Sequence, residues 1–220
     1  GEHSGLVADC VRAYSDGFQT SKGDACIEGA WGTESVNAMA KHWPGGATGE
    51  AGRDAHFGIG KYAVYPGNNF EEHLLPFTEG AFKLTGGTNQ ASAVMPYYTI
   101  SYGVDPSGKN VANGYSEYII KDLLRTKYNY KGVICTDWGI VNEYKNLHRN
   151  TGKPWGLESM PEAERYLTVL MVGVDQYGGI NKTDGILAAY ELGKQKYGEK
   201  AIRTRFEESA VRLLMNIFRT

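Results

Sequence analysis

Residues with catalytic potential follow four apolar segments of this 220-residue sequence, each where a strand is expected to end. They are Lys41 and His42, then Met95 and Tyr98, then Asp137 and Trp138, and finally Asp175 and Tyr177. In parallel α/β folds the carboxyl ends of the strands meet at one edge, and the functional site lies there. The order of these residues therefore predicts one pocket that contains a lysine, a histidine, a tyrosine and a carboxylate.

Each member of this set also has a structural interpretation. Lys41 and His42 could begin a solvated loop, and Tyr98 could be a core aromatic with a satisfied hydroxyl. Asp137 could cap a following helix, where aspartate is favoured. Asp175 is interpreted as a capping residue or as a partner for loop backbone. The predicted site therefore depends on the joint order of the residues.

The segments that carry these residues alternate between helix and strand. Apolar spacing predicts helices at 7–19, 70–84, 115–126 and 161–171, two terminal helices, and strands at 35–43, 91–98, 133–138 and 172–175. The apolar side of the last helix is predicted to be Ile202, Phe206, Ala210, Leu213, Leu214 and Ile217. Alternating strands and helices imply a parallel sheet with crossover helices. Periodicity alone fits either a small doubly wound domain or half of an eight-stranded barrel.

Composition limits the classes of function. The net charge of -2 gives no reason to expect a nucleic acid or a membrane surface as partner, and no apolar run approaches the roughly 20 residues of a membrane span. The sequence lacks the serine-hydrolase elbow, the phosphate-binding loop and the H-E-x-x-H zinc motif. The 15 tyrosines and four tryptophans suit a site that stacks on sugars, although most of them are expected in the core. No cofactor and no metal are predicted.

The three cysteines have no metal-ligand spacing. Cys10 and Cys26 could form a disulfide in an exported protein, or could be buried free thiols. The glycine-rich loop at 44–69 is long enough to be functional. The chain carries no signal peptide and begins at Gly1, so we expect it to be an excised piece of a longer protein.

Four ordered motifs resemble family 3 glycoside hydrolases, the β-glucosidase family. The segment 41–46, KHWPGG, is similar to the family's K-H-[FW]-P-G element, and 93–98, AVMPYY, to its next barrel strand. DLLR at 122–125 followed by YKGVICTDW at 130–138 resembles the strongest signature of the family. GVD at 173–175 resembles A-G-x-D, with Val172 where alanine is usual, and 1–19 is similar to the segment before the K-H strand.

This resemblance implies a TIM-type (β/α)8 barrel in the α/β class, of which residues 1–220 would be the second half, with about four strand–helix units and flanking helices. The first barrel half and a C-terminal α/β domain would be absent. Asp137 matches the nucleophile and Trp138 the neighbouring aromatic. Lys41 and His42 match the pair that holds sugar hydroxyls, Tyr98 the tyrosine near the nucleophile, and Met95 lines the same wall.

The implied activity is that of a retaining exo-β-glycosidase of the β-glucosidase type, with a covalent glycosyl-enzyme on Asp137. Lys41 would help to keep Asp137 anionic, because a nearby cation favours the charged carboxylate. The partners would be a carbohydrate substrate and the remainder of the parent enzyme, and the location periplasmic or secreted. Since the family's usual acid/base glutamate lies in a later domain, the isolated chain is expected to be inactive.

Three further interpretations stay open. Asp54 and His56 lie in the long loop, where a branch of the family that acts on N-acetylated amino sugars has an Asp–His acid/base pair, at a spacing slightly closer to the K-H element. That branch also favours a second acidic residue at the position of Trp138. A non-catalytic carbohydrate-binding unit is the alternative from another class, and an unrelated α/β enzyme is the third.

Overall fold

The computed structural model describes residues 3–23, 26–27, 29–46, 48–145 and 152–219. The resemblance of Gly1 and Glu2 to the family segment therefore falls outside the described residues. In the described ranges the strands are β1 (Cys26–Ile27), β2 (Trp31–Gly32), β3 (Met39–Trp43), β4 (Tyr62–Ala63), β5 (Ala93–Pro96), β6 (Ile100–Ser101) and β7 (Val133–Ile134). The α-helices are α1 (Ser4–Gln19), α2 (Phe70–Leu75), α3 (Glu162–Val172), α4 (Asp184–Tyr197) and α5 (Glu199–Phe218).

The centre of the fold is a parallel sheet in the order β3–β5–β7. Its register pairs Lys41 with Met95, and Val94 with Ile134. A second parallel pair joins β4 to β6, and β1 pairs with β2 in antiparallel orientation. The prediction of an α/β fold with parallel strands is confirmed, and the carboxyl ends of β3, β5 and β7 meet at one edge of the sheet.

The helix predicted at 70–84 is divided in the structure. α2 ends at Leu75, and Pro76–Ala81 continues as a π-helix in which the Phe82 N–H donates to the Phe77 carbonyl at 2.8 Å. Proline has no N–H to continue the α-helical ladder, so a change of hydrogen bonding at Pro76 is expected. A second π-helix, Tyr118–Lys127, replaces the predicted helix at 115–126 and buries the predicted apolar stripe.

The strand predicted at 172–175 does not form. Val172 is the last residue of α3, and Gly173 ends the helix in the left-handed region at φ 117°. The N–H groups of Asp175 and Gln176 both donate to the Ile134 carbonyl, which leaves one parallel bridge between Cys135 and Gln176. The described sheet therefore has three strands and a bridge where four strands were predicted.

The long loop at 44–69 is more ordered than predicted. It contains two 3₁₀ turns, Glu50–Gly52 and Gly58–Gly60, and the strand β4. The strand predicted at 35–43 begins only at Met39, because Ser35 bonds the Gln19 carbonyl and the Gly32 N–H through its hydroxyl. Such side-chain bonds replace a strand ladder.

The apolar core lies between one face of the sheet and the helices. Trp43, Val94 and Ile134 belong to it, together with side chains of α3 and of the second π-helix. For the last helix, α5, the prediction of a buried apolar side was wrong in the second half of the helix. Ile202 is buried, but Leu214 and Ile217 are exposed, and the other buried residues of this helix are the polar Arg205 and Ser209.

Two remaining features concern the surface. Cys10 and Cys26 are free and exposed, so the structure shows neither the disulfide nor the buried thiols that were considered for them. In the described ranges, no helix combines the length and the apolar character that crossing a bilayer requires.

Candidate active site

Asp137 lies directly beyond β7, at the edge of the sheet where the strands end. Its carboxylate is largely buried, with 8% of the residue exposed. Oδ1 accepts the Trp138 N–H at 2.7 Å, and Oδ2 lies 3.4 Å from Nε2 of His42 at the end of β3. One oxygen is therefore fixed by backbone, while the other faces a second residue of the predicted set.

Tyr98 follows β5, the strand between β3 and β7. Its side chain is buried, and its hydroxyl donates to the Trp138 carbonyl at 2.7 Å. Burial, and then the negative charge of Asp137, raise the pKa of Tyr98. The phenol therefore stays protonated at neutral pH and remains a donor beside the carboxylate.

His42 is held in its neutral form. Burial lowers its pKa from the ordinary value of 6.5, the charge of Asp137 acts in the opposite direction, and Lys41 and His56 lower the pKa further. The imidazole packs against the ring of Tyr97 with centroids 4.7 Å apart. A neutral imidazole can donate one hydrogen bond and accept another, which suits recognition of a sugar hydroxyl.

The loop pair Asp54 and His56 enters the same site. Nδ1 of His56 lies 2.7 Å from Oδ1 of Asp54, and the His56 ring meets the Tyr98 ring edge-on with centroids 5.0 Å apart. The buried Trp155 anchors this loop by donating its indole N–H to the Ala55 carbonyl at 3.0 Å. The fold therefore brings an imidazole–carboxylate pair to the neighbourhood of Asp137.

Three other predicted residues occupy different positions around this centre. Trp138 projects to the surface with 54% of the residue exposed. Lys41 is exposed and lines a groove of about 840 Å³ between β3 and α1. Within the described part of the chain, Lys41 makes no ion pair with Asp137 at 4 Å or less. Met95 is buried opposite Lys41 in the strand register.

Asp175 lies outside this centre and has a structural role, but its partners are three arginines and a strand N–H where a helix cap or loop backbone was predicted. Its fully buried side chain forms ion pairs with Arg125 at 2.5 Å, Arg212 at 2.9 Å and Arg205 at 3.5 Å. It also accepts the Ile134 N–H at 3.0 Å. This carboxylate therefore joins β7 to α5 and to the second π-helix. Tyr177 likewise donates to the Tyr166 carbonyl of α3.

Sequence reasoning missed two residues of the site. Lys153 is buried, with its ammonium 5.2 Å from the centroid of the Tyr98 ring, a distance at which a cation and a ring attract. No motif or spacing in the sequence distinguishes this lysine. Tyr97 was passed over beside Tyr98, because neighbouring residues of a strand face opposite sides, whereas both tyrosines lie beyond the end of β5.

The residues around Asp137 show no arrangement for a metal. In the part of the chain that the structure describes, no group of three or more His, Cys, Asp or Glu side chains could hold an ion. The arrangement is instead one of a carboxylate, hydrogen-bond donors and aromatic rings.

Comparison with known proteins identifies the family of this chain. The model of the glycosyl hydrolase family 3 N-terminal domain matches residues 1–201. The chain belongs to glycosyl hydrolase family 3. β-Glucosidase C of Emericella nidulans is 34% identical over 219 residues, and the periplasmic β-glucosidase/β-xylosidase of Dickeya chrysanthemi is 33% identical over 233 residues. These matches cover 99% and 100% of the chain, but only 32% and 33% of the two relatives.

Solved structures support the same α/β fold. A β-glucosidase from Erythrobacter marinus superposes with a TM-score of 0.65 at 19% identity, covering 100% of this family 3 chain and 24% of the other. The β-N-acetylglucosaminidase from Thermotoga maritima gives a TM-score of 0.54 at 18% identity, covering 81% of this chain and 34% of the other. At these identities the likeness concerns the fold alone.

Proposed function

We propose that this chain carries the nucleophile of a retaining exo-β-glycosidase of the β-glucosidase type. The observation that carries the proposal is the setting of Asp137, one of whose oxygens is fixed by the Trp138 N–H while the other faces His42. A retaining glycosidase needs an ionised carboxylate that attacks the anomeric carbon and a second group that protonates the leaving oxygen. Relatives named as β-glucosidases support this reaction class.

Each residue of the site would have a distinct role in the proposed reaction. Asp137 forms the covalent bond to the anomeric carbon, and water later breaks it. His42 and Lys41 donate to sugar hydroxyls, Tyr98 holds the nucleophile turn through the Trp138 carbonyl, and the exposed indole of Trp138 offers an apolar face to the sugar. Met95 fills the wall below Lys41.

We also propose that the parent enzyme supplies the remaining barrel strands. Within the described sheet β3 is an edge strand, and the groove along it is lined by α1 residues such as Val7 and Val11. An open strand edge invites pairing. Since the relatives are about three times as long as the matched region, we expect catalysis only in the longer protein. The name of the Dickeya relative supports a periplasmic or secreted location.

Covalent trapping tests the nucleophile. A 2-deoxy-2-fluoro β-glucoside with a good leaving group slows hydrolysis of the glycosyl-enzyme, so we expect the parent enzyme to accumulate the label on the peptide that contains Asp137. Peptide mapping by mass spectrometry locates it. An Asp105→Asn variant, changed in an exposed loop, should be labelled like the parent. A label on a peptide without Asp137 would overturn the proposal.

The second candidate is a glycosidase that uses Asp54 and His56 as its acid/base. The observation in its favour is the contact of the His56 ring with Tyr98, beside Asp137. If His56 protonates the leaving oxygen, His56→Ala should lower hydrolysis of alkyl glycosides by about 10²–10⁴-fold. Dinitrophenyl glycosides, whose leaving group needs no proton, should be affected far less.

The contrast between the two leaving groups decides between the candidates. Equal changes for both substrates would reject His56 as the acid and leave the β-glucosidase type with an acid from elsewhere in the enzyme. His73→Ala, changed at a histidine on α2, is the matched control and should show no dependence on the leaving group. Comparison of β-glucosides with N-acetyl-β-glucosaminides then assigns the sugar.

A further inference from the structure

Trp138 differs from the other three tryptophans of the chain. Its exposed fraction is 54%, whereas Trp31, Trp43 and Trp155 are between 0% and 4% exposed. An indole on the surface has few neighbours that could fix the plane of its ring. A sugar platform nevertheless requires a fixed plane, so some part of the fold has to support the ring from below.

Gly178 and Gly179 lie close to the indole ring of Trp138. A Cβ added to Gly178 would overlap the Thr136 carbonyl oxygen and would lie 2.8 Å from Cε3 and 3.0 Å from Cζ3 of Trp138. A Cβ added to Gly179 would overlap Cδ1 and lie 2.7 Å from Cγ and 3.0 Å from Nε1. The first glycine therefore contacts the six-membered ring and the second contacts the pyrrole ring. Only residues without Cβ allow the backbone to come this close to both rings.

The two glycines are also tied to the turn that carries the nucleophile. The Gly178 N–H donates to the Thr136 hydroxyl at 2.8 Å, and the Gly178 carbonyl accepts from the Gly139 N–H at 3.4 Å. The supporting segment is thus bonded on both sides of Asp137 and Trp138. A shift of the indole would therefore also move the turn that carries Asp137.

We propose that Gly178 and Gly179 are positioning residues that set the plane of the Trp138 indole as the platform for the sugar ring. This inference rests on the proposed function, because it gives Trp138 the task of holding the sugar. The Trp138 main chain accepts the Tyr98 hydroxyl and donates to Asp137. The same two glycines therefore align the platform with the attacking carboxylate.

Gly179→Ala is the informative substitution, because the three atoms nearest to the added Cβ all belong to the Trp138 ring. Gly179 has φ +69°, so alanine also introduces backbone strain. Gly103→Ala is the matched control, since Gly103 has φ +70° and nothing lies within 4 Å of its added Cβ. A Trp138→Ala variant and the Gly179→Ala/Trp138→Ala double variant complete a mutant cycle.

Quenching of tryptophan fluorescence by acrylamide reports on the exposed indole of Trp138, because the other three tryptophans are buried. In the chain itself we expect Gly179→Ala to change the quenching constant and the emission maximum, and Gly103→Ala to leave both unchanged. Identical behaviour of the two variants would overturn the proposal. If Gly179→Ala does not fold, recovery of folding in the double variant supports the inference, and failure of the double variant contradicts it.

Binding of methyl β-glucoside to the parent enzyme gives the functional readout. We expect Gly179→Ala to weaken binding by about two- to tenfold, the range for loss of one aromatic contact. In the Trp138→Ala background the same substitution should have no further effect. If neither the parent enzyme nor any variant binds the glycoside, the proposed function is rejected. The quenching experiment would still show whether the two glycines position the indole.

Discussion

Replacement of Asp137 by glycine in the parent enzyme is expected to lower glycoside hydrolysis by about 10⁴-fold or more, as removal of a nucleophile does in other enzymes. The substitution removes the atom that bonds the anomeric carbon and leaves space beside His42. Azide should therefore enter this space, restore turnover of an activated β-glucoside and give a glycosyl azide of inverted configuration. Steady-state rates and product analysis by NMR measure both effects.

Asp184→Gly provides the control, since this aspartate is exposed in the first turn of α4 and should keep the activity of the parent without azide. Rescue that gives the retained glycosyl azide, or no loss of activity in Asp137→Gly, would refute the assignment.

Titration of His42 in the chain alone tests its contact with Asp137 without a measurement of activity. The charge of Asp137 raises the pKa of His42, against the larger lowering by burial. Asp137→Asn should therefore lower the pKa of His42 further below 6.5, as measured by NMR of the imidazole. Because the folded pKa lies below the ordinary value, the burial of neutral His42 stabilises the fold above about pH 6.5, and this contribution is lost as the pH falls through the folded pKa.

Asp175→Asn is expected to lower the free energy of unfolding by about 3–5 kcal/mol, the usual cost of removing one partner from a buried ion pair. The variant keeps the shape of the side chain but leaves Arg125, Arg205 and Arg212 without their shared carboxylate. Urea denaturation of the chain, followed by circular dichroism, measures the change. A loss below about 1 kcal/mol would show that the arginines find other partners in the fold.

The matched control is an ion pair at the surface. Glu117 and Lys121 approach to 2.6 Å, and both side chains are about half exposed. Glu117→Gln should change the free energy of unfolding by less than about 0.5 kcal/mol, because solvent screens exposed pairs on one helix. The contrast separates the effect of burial from the effect of distance.

Where the sequence prediction of the fold succeeded, local chemistry decided the structure. The apolar runs of β5 and β7 and the apolar spacing of the helices are local properties, and the parallel sheet follows from the alternation of strands and helices. The predictions failed where a residue of a different segment intervened. The strand predicted at 172–175 gave way to a single bridge because the N–H groups of Asp175 and Gln176 share the Ile134 carbonyl of β7.

An interaction with a distant residue also explains why the buried side of α5 was predicted wrongly. Its apolar residues suggested a buried side that included Leu214 and Ile217, but both are exposed, and Arg205 and Ser209 are buried because they bind Asp175. A pairing between residues 30 positions apart in the chain has no periodic signature. The contact of Lys153 with Tyr98 has none either.

For this protein the sequence alone determined the order of the strand ends, the family motifs on them and hence the expected nucleophile, since these depend on neighbours along the chain. Only the tertiary structure decided which side chains meet Asp137. It brought His42, Tyr98 and the Asp54–His56 pair towards Asp137. It placed Lys41 in the groove beside α1, and it packed Trp138 against Gly178 and Gly179. Close approach in space depends on the packing of distant segments, which no local pattern encodes.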